Sequence, residues 1–368
     1  MSAWADTVKA EKTSISLSFP AFTGPLVSNI HPFSIKAGPF EKIYITGVLS
    51  GLGLWQSNPV VDNPNSLLDL SNGQLFIQKP SGLFQFYVQG GGYSLPSLGT
   101  YYLRMDDTTR NFFGPIPVAY IKLAPRNGFS VMAGKLPTLI GSESTFTFQN
   151  LNIERGLLWN QTNAVNRGMQ LNYTSEAFSS SIALSDGFYS GQLNWLSGLL
   201  TYAINSKNSL TVIASGNIKR DSKSTIVTPL AQNNSQIYDL IYSYSFGQLT
   251  VSPTLQFTHV PKDIHIRLLE SASTYGAALA TKFAFNTQWS ITGRAEFIDT
   301  TGGTNVAYGP GSNAWSLTLT PTYQKGIFFA RGEASLVEAN NVTAGSAFGQ
   351  NGTSRSQGRL LIEAGLLF

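Results

Sequence analysis

The sequence contains no cysteine, little charge and no long apolar run, and each shortage excludes a class of protein. Without cysteine there is no disulfide framework, no thiol nucleophile, no thiolate metal site and no haem attachment through Cys-x-x-Cys-His. Charged residues make up 12% of the chain, about half of what soluble domains usually carry. The longest apolar candidate, NWLSGLLTYAIN at 194–205, is shorter than the roughly 18 apolar residues that a membrane helix needs. The chain therefore lacks the composition of a typical soluble protein and of a helical membrane protein.

Histidine and dense basic clusters are also scarce. The three histidines are His31, His259 and His265, and hydrolytic sites typically combine a histidine with an acid and a nucleophile. The net charge is only +4, and the densest basic run, IKRDSK at 218–223, is interrupted by Asp221. We expect no catalytic site, no metal site, no cofactor and no nucleic-acid partner.

What the chain does contain is alternation. In DLIYSYSF (239–246), WSITGRAEF (289–297) and WSLTLTPTY (315–323), apolar residues alternate with polar ones, as on a strand with one apolar and one polar face. A soluble sandwich also alternates, but its water-facing side usually carries more charge than these Ser- and Thr-rich faces. Aromatic residues end the apolar faces, as in the interfacial girdles of membrane barrels. The pattern predicts a transmembrane antiparallel β-barrel.

The connections between these segments predict the topology. Seven links are tight, near Ser81, Asn127, Glu176, Lys207, Gly247, Asn286 and Lys325–Gly326. Eight are long, near 56–66, 93–114, 137–165, 187–193, 220–234, 261–271, 299–313 and 337–356. Strict alternation predicts about sixteen strands over residues 42–368 with both termini on the short-turn side. Outer-membrane barrels have short periplasmic turns and long extracellular loops, so we expect both termini to be periplasmic.

The last strand, GRLLIEAGLLF (358–368), has Phe368 and Leu366 in phase with its apolar face. We expect it to pair with KIYITGVLSGLGLW (42–55) and close the barrel, which removes both sheet edges. A terminal phenylalanine on such a strand resembles the signal that the bacterial barrel assembly machinery reads. Phe368 and Leu366 are therefore the predicted assembly signal.

The strand phase also predicts which charges face the lumen, where charge is tolerated because water is present. A mixed-charge lining tunes ion preference, whereas salt bridges between neighbouring strands stiffen the wall; both interpretations remain open here. The predicted pore-lining residues are Lys122, Lys135, Lys282, Arg294, Glu296, Arg331, Glu333, Arg359 and Glu363.

The third long link, about 137–165, is the predicted constriction loop, with Glu143, Glu154 and Arg155 among aromatic residues. A link of this length in a compact barrel is usually functional. It follows the fifth predicted strand, and general porins fold the corresponding loop into the lumen. The alternative is an outward surface loop.

A family resemblance rests on this region. The stretch AGKLPTLIGSE (133–143), followed by NIERGLLWNQTNAVNRGMQLNY (152–173), resembles the OmpL-like putative β-barrel porin family of Gram-negative bacteria. The preceding stretches VAYIKLAPRNGFSVMAGK (118–135) and GQLFIQKPSGLFQFYVQGG (73–91) also fit that family. The matching residues are Gly134, Lys135, Thr138, Gly141, Glu143, Arg155 and Gly168. The resemblance covers roughly residues 42–175 by motif, and it implies an outer-membrane channel for small solutes and a homotrimer.

Residues 1–41 precede the predicted barrel and are unusual for that family. Ala3-Trp4-Ala5 fits the site that signal peptidase cuts, so we expect a signal-peptide remnant followed by an N-terminal extension. This extension plugs the lumen, clasps a neighbouring subunit or lies in the periplasm.

The function expected from the sequence is passive diffusion of small hydrophilic solutes and ions through an outer-membrane pore bordered by lipid. The alternative is a structural or partner-binding barrel, either a sheath around a cytochrome electron conduit or a surface array or adhesin.

Overall fold

The computed structural model describes residues 24–125, 127–303 and 307–368. Two short helices, α1 (Met105–Asn111) and α2 (Leu230–Asn233), lie in long links, and 3-10 turns cover Gly38–Phe40, Thr147–Gln149, Leu158–Gln161 and Ile264–Ile266. None of the helices in these ranges is long and apolar enough to cross a membrane. The strands are β1 (Phe33–Lys36), β2 (Lys42–Gln56), β3 (Ser66–Lys79), β4 (Phe84–Tyr93), β5 (Val118–Leu123), β6 (Phe129–Pro137), β7 (Val165–Thr174), β8 (Phe178–Ser185), β9 (Trp195–Asn205), β10 (Asn208–Asn217), β11 (Gln236–Phe246), β12 (Leu249–Val260), β13 (Ala272–Ala284), β14 (Trp289–Gly302), β15 (Asn313–Lys325), β16 (Phe328–Asn340) and β17 (Ser356–Leu367).

Strands β2 to β17 form a closed antiparallel barrel. Each pairs with its neighbours in sequence, and β17 pairs with β2 from Arg359↔Gln56 to Leu367↔Val48. Gly47 and Phe368 extend this seam, since each backbone N–H donates to the other residue's carbonyl, at 2.7 and 2.9 Å. The predicted barrel of sixteen strands with alternating short and long links is confirmed. We call its two rims the short-turn end and the long-loop end.

The outer face of the barrel is apolar, as alternation requires. Leu360 and Ile362 on β17 are 54% and 70% exposed, whereas their inward neighbours Leu361 and Glu363 are buried. Aromatic pairs border this band, and the ring centroids of Trp289 and Tyr323 are 4.8 Å apart at the short-turn end. Other outward aromatic residues include Trp55, Phe129, Tyr173, Phe178, Tyr202, Tyr238, Tyr275, Phe297 and Phe368. This is the apolar surface that a lipid bilayer covers.

Part of the lumen is filled by side chains. A cluster of buried apolar residues lies against the inner faces of β2–β5, β16 and β17. It consists of Leu26, Val48, Phe76, Tyr87, Tyr93, Leu95, Phe113, Val118, Phe146, Phe148, Val165, Phe329 and Leu367. Members from the link 138–164 meet members from the barrel wall here, so this side of the barrel is packed rather than open.

The described part of the N-terminal extension enters the lumen from the short-turn end. Strand β1 runs antiparallel to the start of β2, from Phe33↔Ile45 to Lys36↔Lys42. Before it, Leu26 is only 2% exposed within the luminal cluster. Gly24 lies so close to the link 138–164 that a Cβ on it would be 2.5 Å from the carbonyl oxygen of Asn150. The predicted cleavage pattern Ala3-Trp4-Ala5 lies outside the described residues.

Candidate functional site

The link 138–164, here called the inner loop, crosses the lumen. Near its start, Ile140 packs in a buried cluster with residues of β9, β10 and β11, and the Gly141 N–H donates to Asp239 Oδ2 at 3.0 Å. Further along, the ring of Phe148 lies 5.5 Å from that of Phe76 on β3. The inner loop therefore contacts opposite sides of the barrel, and burial of its aromatic rings fixes one side of it.

Six inward-facing charges on β14, β16 and β17 form what we call the charged wall. Alternation places them on the luminal face, and between them runs β15, whose inward residues are hydroxyl-bearing. All six are at most 5% exposed. The charged wall consists of Arg294 and Glu296 on β14, Arg331 and Glu333 on β16, and Arg359 and Glu363 on β17.

The charged wall binds the inner loop through ion pairs and backbone hydrogen bonds. Arg359 Nη1 donates to Glu154 Oε1 at 2.6 Å, and both side chains are fully buried. Arg294 Nη1 donates to Glu143 Oε1 at 2.5 Å. Glu333 accepts from the backbone N–H groups of Ile153 and Glu154 at 2.6 and 3.0 Å. Hydrogen bonds with an ionised donor or acceptor are stronger than those between neutral groups.

A second group of contacts holds the aromatic part of the inner loop. Arg331 and Glu363 face each other in register across β16 and β17 and form an ion pair. Glu363 also accepts from Thr147 Oγ1 at 2.7 Å, and Arg331 donates to the carbonyls of Thr147 and Asn150 at 2.9 and 3.2 Å. The pair therefore joins β16 to β17 and also holds the loop against them.

Burial also changes the acid–base properties of the loop's own charges. Removal from water raises the pKa of Glu143, although the guanidinium of Arg294 opposes that shift. The same effect lowers the pKa of Arg155 to about 9, against the opposing influence of Glu143 and Glu154.

A cavity of about 460 Å³ remains between the inner loop and the wall formed by β9–β14. The loop contributes Ser142, Glu143 and Asn152, and the wall contributes hydroxyl groups together with Lys282. Lys282 forms no ion pair with any residue in the described ranges, so its charge faces the cavity free. The hydroxyl-bearing wall residues are Thr201, Thr211, Ser243, Thr250, Ser252 and Thr254. We call this space the polar cavity.

Comparison with known proteins assigns the chain to a family. The family model described as "Putative beta-barrel porin-2, OmpL-like" matches residues 42–368. The chain belongs to this porin family. The fold and this membership assign the porin to the bacterial outer membrane and indicate a channel rather than an enzyme. The comparison with curated proteins gave no match.

Solved structures similar to this porin share its barrel. The anion-selective porin from Comamonas acidovorans is 13% identical, with a TM-score of 0.62 over 89% of this chain and 99% of that one. OmpT of Vibrio cholerae, folded in vitro, is 8% identical, with a TM-score of 0.60 over 91% of this chain and 99% of that one. Its trimer form is 7% identical, with a TM-score of 0.57 over 89% and 99%. At these identities the likeness shows a shared fold alone.

The predicted site residues of the porin fall into three groups. The six charges of the charged wall lie together and bind the inner loop. Arg294 and Arg359 pair with the predicted loop residues Glu143 and Glu154, and Arg294 and Glu296 also line the cavity. Lys122 and Lys282 are partly exposed on other strands, apart from that network. Lys135 is held by the link 94–117, since its Nζ donates to the carbonyls of Phe113 and Ile116 at 2.8 and 2.7 Å. Gly134, at φ 141°, interrupts the regular strand geometry just before it.

Several luminal contacts were missed by reading the sequence. Thr147 donates to Glu363 of the charged wall, and Asn152 donates to Thr292 on β14 and Thr320 on β15. Nothing in a Ser/Thr/Asn-rich link distinguishes these two residues. Gln324 at the short-turn end accepts from the Val27 N–H at 2.7 Å and donates to its carbonyl at 2.8 Å. Asp239 had a usable signal, because its strand phase already places it inward.

The histidines lie apart from the luminal network. His31 is exposed at the short-turn end, beside Asn29. His259 stacks on the outward Phe257, and its Nδ1 lies 2.9 Å from Ser273 Oγ. In the ranges that the structure describes, no carboxylate hydrogen-bonds to the His259 ring, so this pair lacks the orienting acid of a triad.

Proposed function

We propose that this porin forms a water-filled pore through which small hydrophilic solutes and ions diffuse passively across the outer membrane. The observation that carries the proposal is the polar cavity between the inner loop and β9–β14. Its hydroxyl groups replace water around a passing solute, and its charges face the path. The inner loop, with Glu143, Glu154 and Arg155, is the constriction.

A liposome-swelling assay tests this function. Liposomes containing the folded porin should swell in uncharged sugars at rates that fall steeply with sugar size, because the inner loop narrows the lumen. Liposomes containing heat-denatured porin are the control. Equal, negligible swelling in both preparations would contradict passive diffusion.

The luminal packing supports a channel over a sheath around a second protein chain. In the described residues, the inner loop and the segment around Leu26 already occupy the β2–β5 and β16–β17 side of the barrel. Sixteen strands leave little room beyond them for a folded electron carrier. Larger strand numbers would suit that alternative better.

We infer further that residues 24–36 restrict the short-turn end. Leu26 is buried among luminal residues, Gly24 abuts the inner loop, and Gln324 binds the Val27 backbone on both sides. These contacts support a role for this part of the extension as a partial plug rather than as a free periplasmic segment.

Orientation, assembly and oligomeric state complete the proposal. The first residue of β2, Lys42, and the last residue of β17, Leu367, lie at the short-turn end, which is periplasmic in outer-membrane barrels. We propose that both termini are periplasmic, so protease added to intact cells should cut the long loops and spare both termini. The Phe368 ring and Leu366 lie on the outward face as a signal for the barrel assembly machinery, and Phe368→Ala should lower the yield of heat-modifiable barrel in outer membranes.

A homotrimer is expected, and chemical crosslinking in membranes should show a three-subunit species.

A further inference from the structure

A second cavity, of about 290 Å³, lies on the long-loop side of the inner loop. It is enclosed by the inner loop and by three other long links, 94–117, 186–194 and 218–235. It therefore lies among the long links at the long-loop end of the barrel. Its volume is close to the lower limit of small-molecule pockets, which is about 300 Å³.

The wall of this cavity, here called the vestibule pocket, is mostly apolar and carries one charge. Among the described residues that line it, Arg155 is the only ionisable one, and Trp159 lies beside it with the guanidinium carbon 4.9 Å from the ring centroid. Amide groups of Asn160, Asn163 and Gln232 add hydrogen-bonding capacity. The apolar lining includes Leu95, Leu103, Phe112, Phe113, Val165, Phe188 and Val227. One fixed cation in an apolar, aromatic pocket suits an anion with an apolar body.

Arg155 differs from the other buried arginines of the lumen. Arg294, Arg331 and Arg359 each form an ion pair with a glutamate. Arg155 is 4% exposed, yet no carboxylate within the described ranges forms an ion pair with it. Its guanidinium instead donates to the carbonyls of Pro96 and Thr145, both at 3.2 Å.

The chemistry of a buried guanidinium explains why the lack of an ion-pair partner favours anion binding at Arg155. Carbonyl groups satisfy only two of its five N–H donors, and they carry no compensating charge. Burial lowers the pKa of Arg155 to about 9 although Glu143 and Glu154 oppose that shift, so its charged form gains from an incoming anion. A carboxylate matches the planar donor geometry of the group.

We propose that the vestibule pocket binds small organic carboxylates with an aromatic or branched apolar body, with the carboxylate at Arg155 and the body against Trp159 and Phe112. This inference names a solute class for the proposed channel and rests on that function for its biological meaning. The binding itself does not depend on conduction.

Calorimetric titration of the detergent-folded, full-length porin with phenylacetate tests the proposal directly. Acetate lacks the apolar body, and 2-phenylethanol lacks the charge. We expect both to bind about 10- to 100-fold more weakly than phenylacetate, because each loses either the charge-assisted hydrogen bonds or the burial of the ring.

Two variants separate recognition by Arg155 from its structural contacts. Arg155→Gln removes the charge but also alters the bonds to Pro96 and Thr145. Val227→Glu leaves those bonds intact and adds a repelling charge to the pocket wall. Both should lower phenylacetate affinity at least about tenfold. Ile264→Glu, on an exposed loop residue outside the pocket, should leave it unchanged.

The proposal is overturned if phenylacetate and 2-phenylethanol bind equally, if phenylacetate does not bind, or if Val227→Glu binds phenylacetate like the unmodified porin. A porin that conducts ions normally but shows any of these results retains its proposed function and loses this solute class. A folded porin that binds phenylacetate but conducts no ions keeps this solute class and loses the proposed channel function.

Discussion

At the scale of single residues, the buried ion pairs of the lumen decide where the inner loop lies. Arg359 has no exposed surface on its side chain, and neither has its partner Glu154. Its other donors reach Gln56 and the carbonyls of Ser97 and Thr100. A charge buried in this way has lost its hydration and depends on fixed protein partners. Removing one member of the ion pair therefore leaves the other charge buried without a partner.

Arg359→Ala should therefore destabilise the porin by about 3–5 kcal/mol, since Glu154 stays buried without a counter-charge. Arg220→Ala is the matched control, because the Arg220–Asp263 pair lies in surface loops, where water and salt screen the interaction. Urea-induced unfolding of both variants in detergent or bilayers measures the difference. Equal losses of stability would show that the luminal pair does not anchor the loop.

At the scale of elements, strand phase was readable from the sequence while loop placement was not. A period of two residues predicted that Arg331 and Glu363 face inward, and hydrophobic alternation with turn residues predicted each barrel strand. Their partners in the inner loop are the Thr147 hydroxyl for Glu363 and the carbonyls of Thr147 and Asn150 for Arg331, in a segment that has no periodic signal. Gly134 and Lys135 show a further limit of predicting strands from alternation. The positive φ of Gly134 interrupts the regular strand geometry just before Lys135, and alternation alone gives no sign of this.

The placement of the N-terminal extension was not readable from the sequence either, because its contacts join residues that are far apart in the chain. Leu26 and Gln324 are far apart in the chain, and neither lies in a motif. Their luminal packing depends on the closed barrel and on the inner loop already in place. The sequence allowed three positions for this segment, in the lumen, against a neighbouring subunit or in the periplasm, and could not select among them.

Docking of the inner loop should depend on the size of Gly156. A Cβ at this position would lie 2.1 Å from Glu296 Oε1, and the Gly156 N–H donates to Glu143 at 2.9 Å. Gly156→Ala should displace that part of the loop and cost about 1–3 kcal/mol of stability. It should also increase open-channel current noise in bilayer recordings, because the constriction loses a fixed position.

Gly332→Ala is the control for that substitution. Its added Cβ would have Pro321 Cγ as its nearest neighbour, at an ordinary contact distance of 3.8 Å. Channels of the control should be as quiet as the unmodified porin. Noise and stability that are the same in both variants would argue against a loop held by close packing on the charged wall.

At the scale of the whole molecule, the lumen is divided into a packed side and an open side. The apolar cluster and the charged wall fill the side formed by β2–β5 and β14–β17. The polar cavity with Lys282 lies against β9–β14. The extension narrows the short-turn end, and the vestibule pocket lies at the other. Conduction is thus expected along one side of the barrel only.

Deleting residues 1–32 should raise conductance, because Gly24 and Leu26 no longer occupy the short-turn end while β1 is retained. Gln324→Ala, which removes both hydrogen bonds to Val27 from an otherwise intact chain, should show a smaller rise or more frequent transitions between levels. Bilayer recordings at one salt concentration compare them. Conductance of the deletion variant that equals that of the full chain would exclude the plug.

The central claim is that the barrel contains an open, water-filled path past the inner loop. Single-channel recording of the purified, folded porin in a planar bilayer, under a salt gradient, tests it most directly. The account predicts discrete conductance steps that are small for sixteen strands, and a reversal potential that shifts when Lys282 is changed to glutamate. A silent bilayer from protein that is shown to be folded and inserted would contradict it.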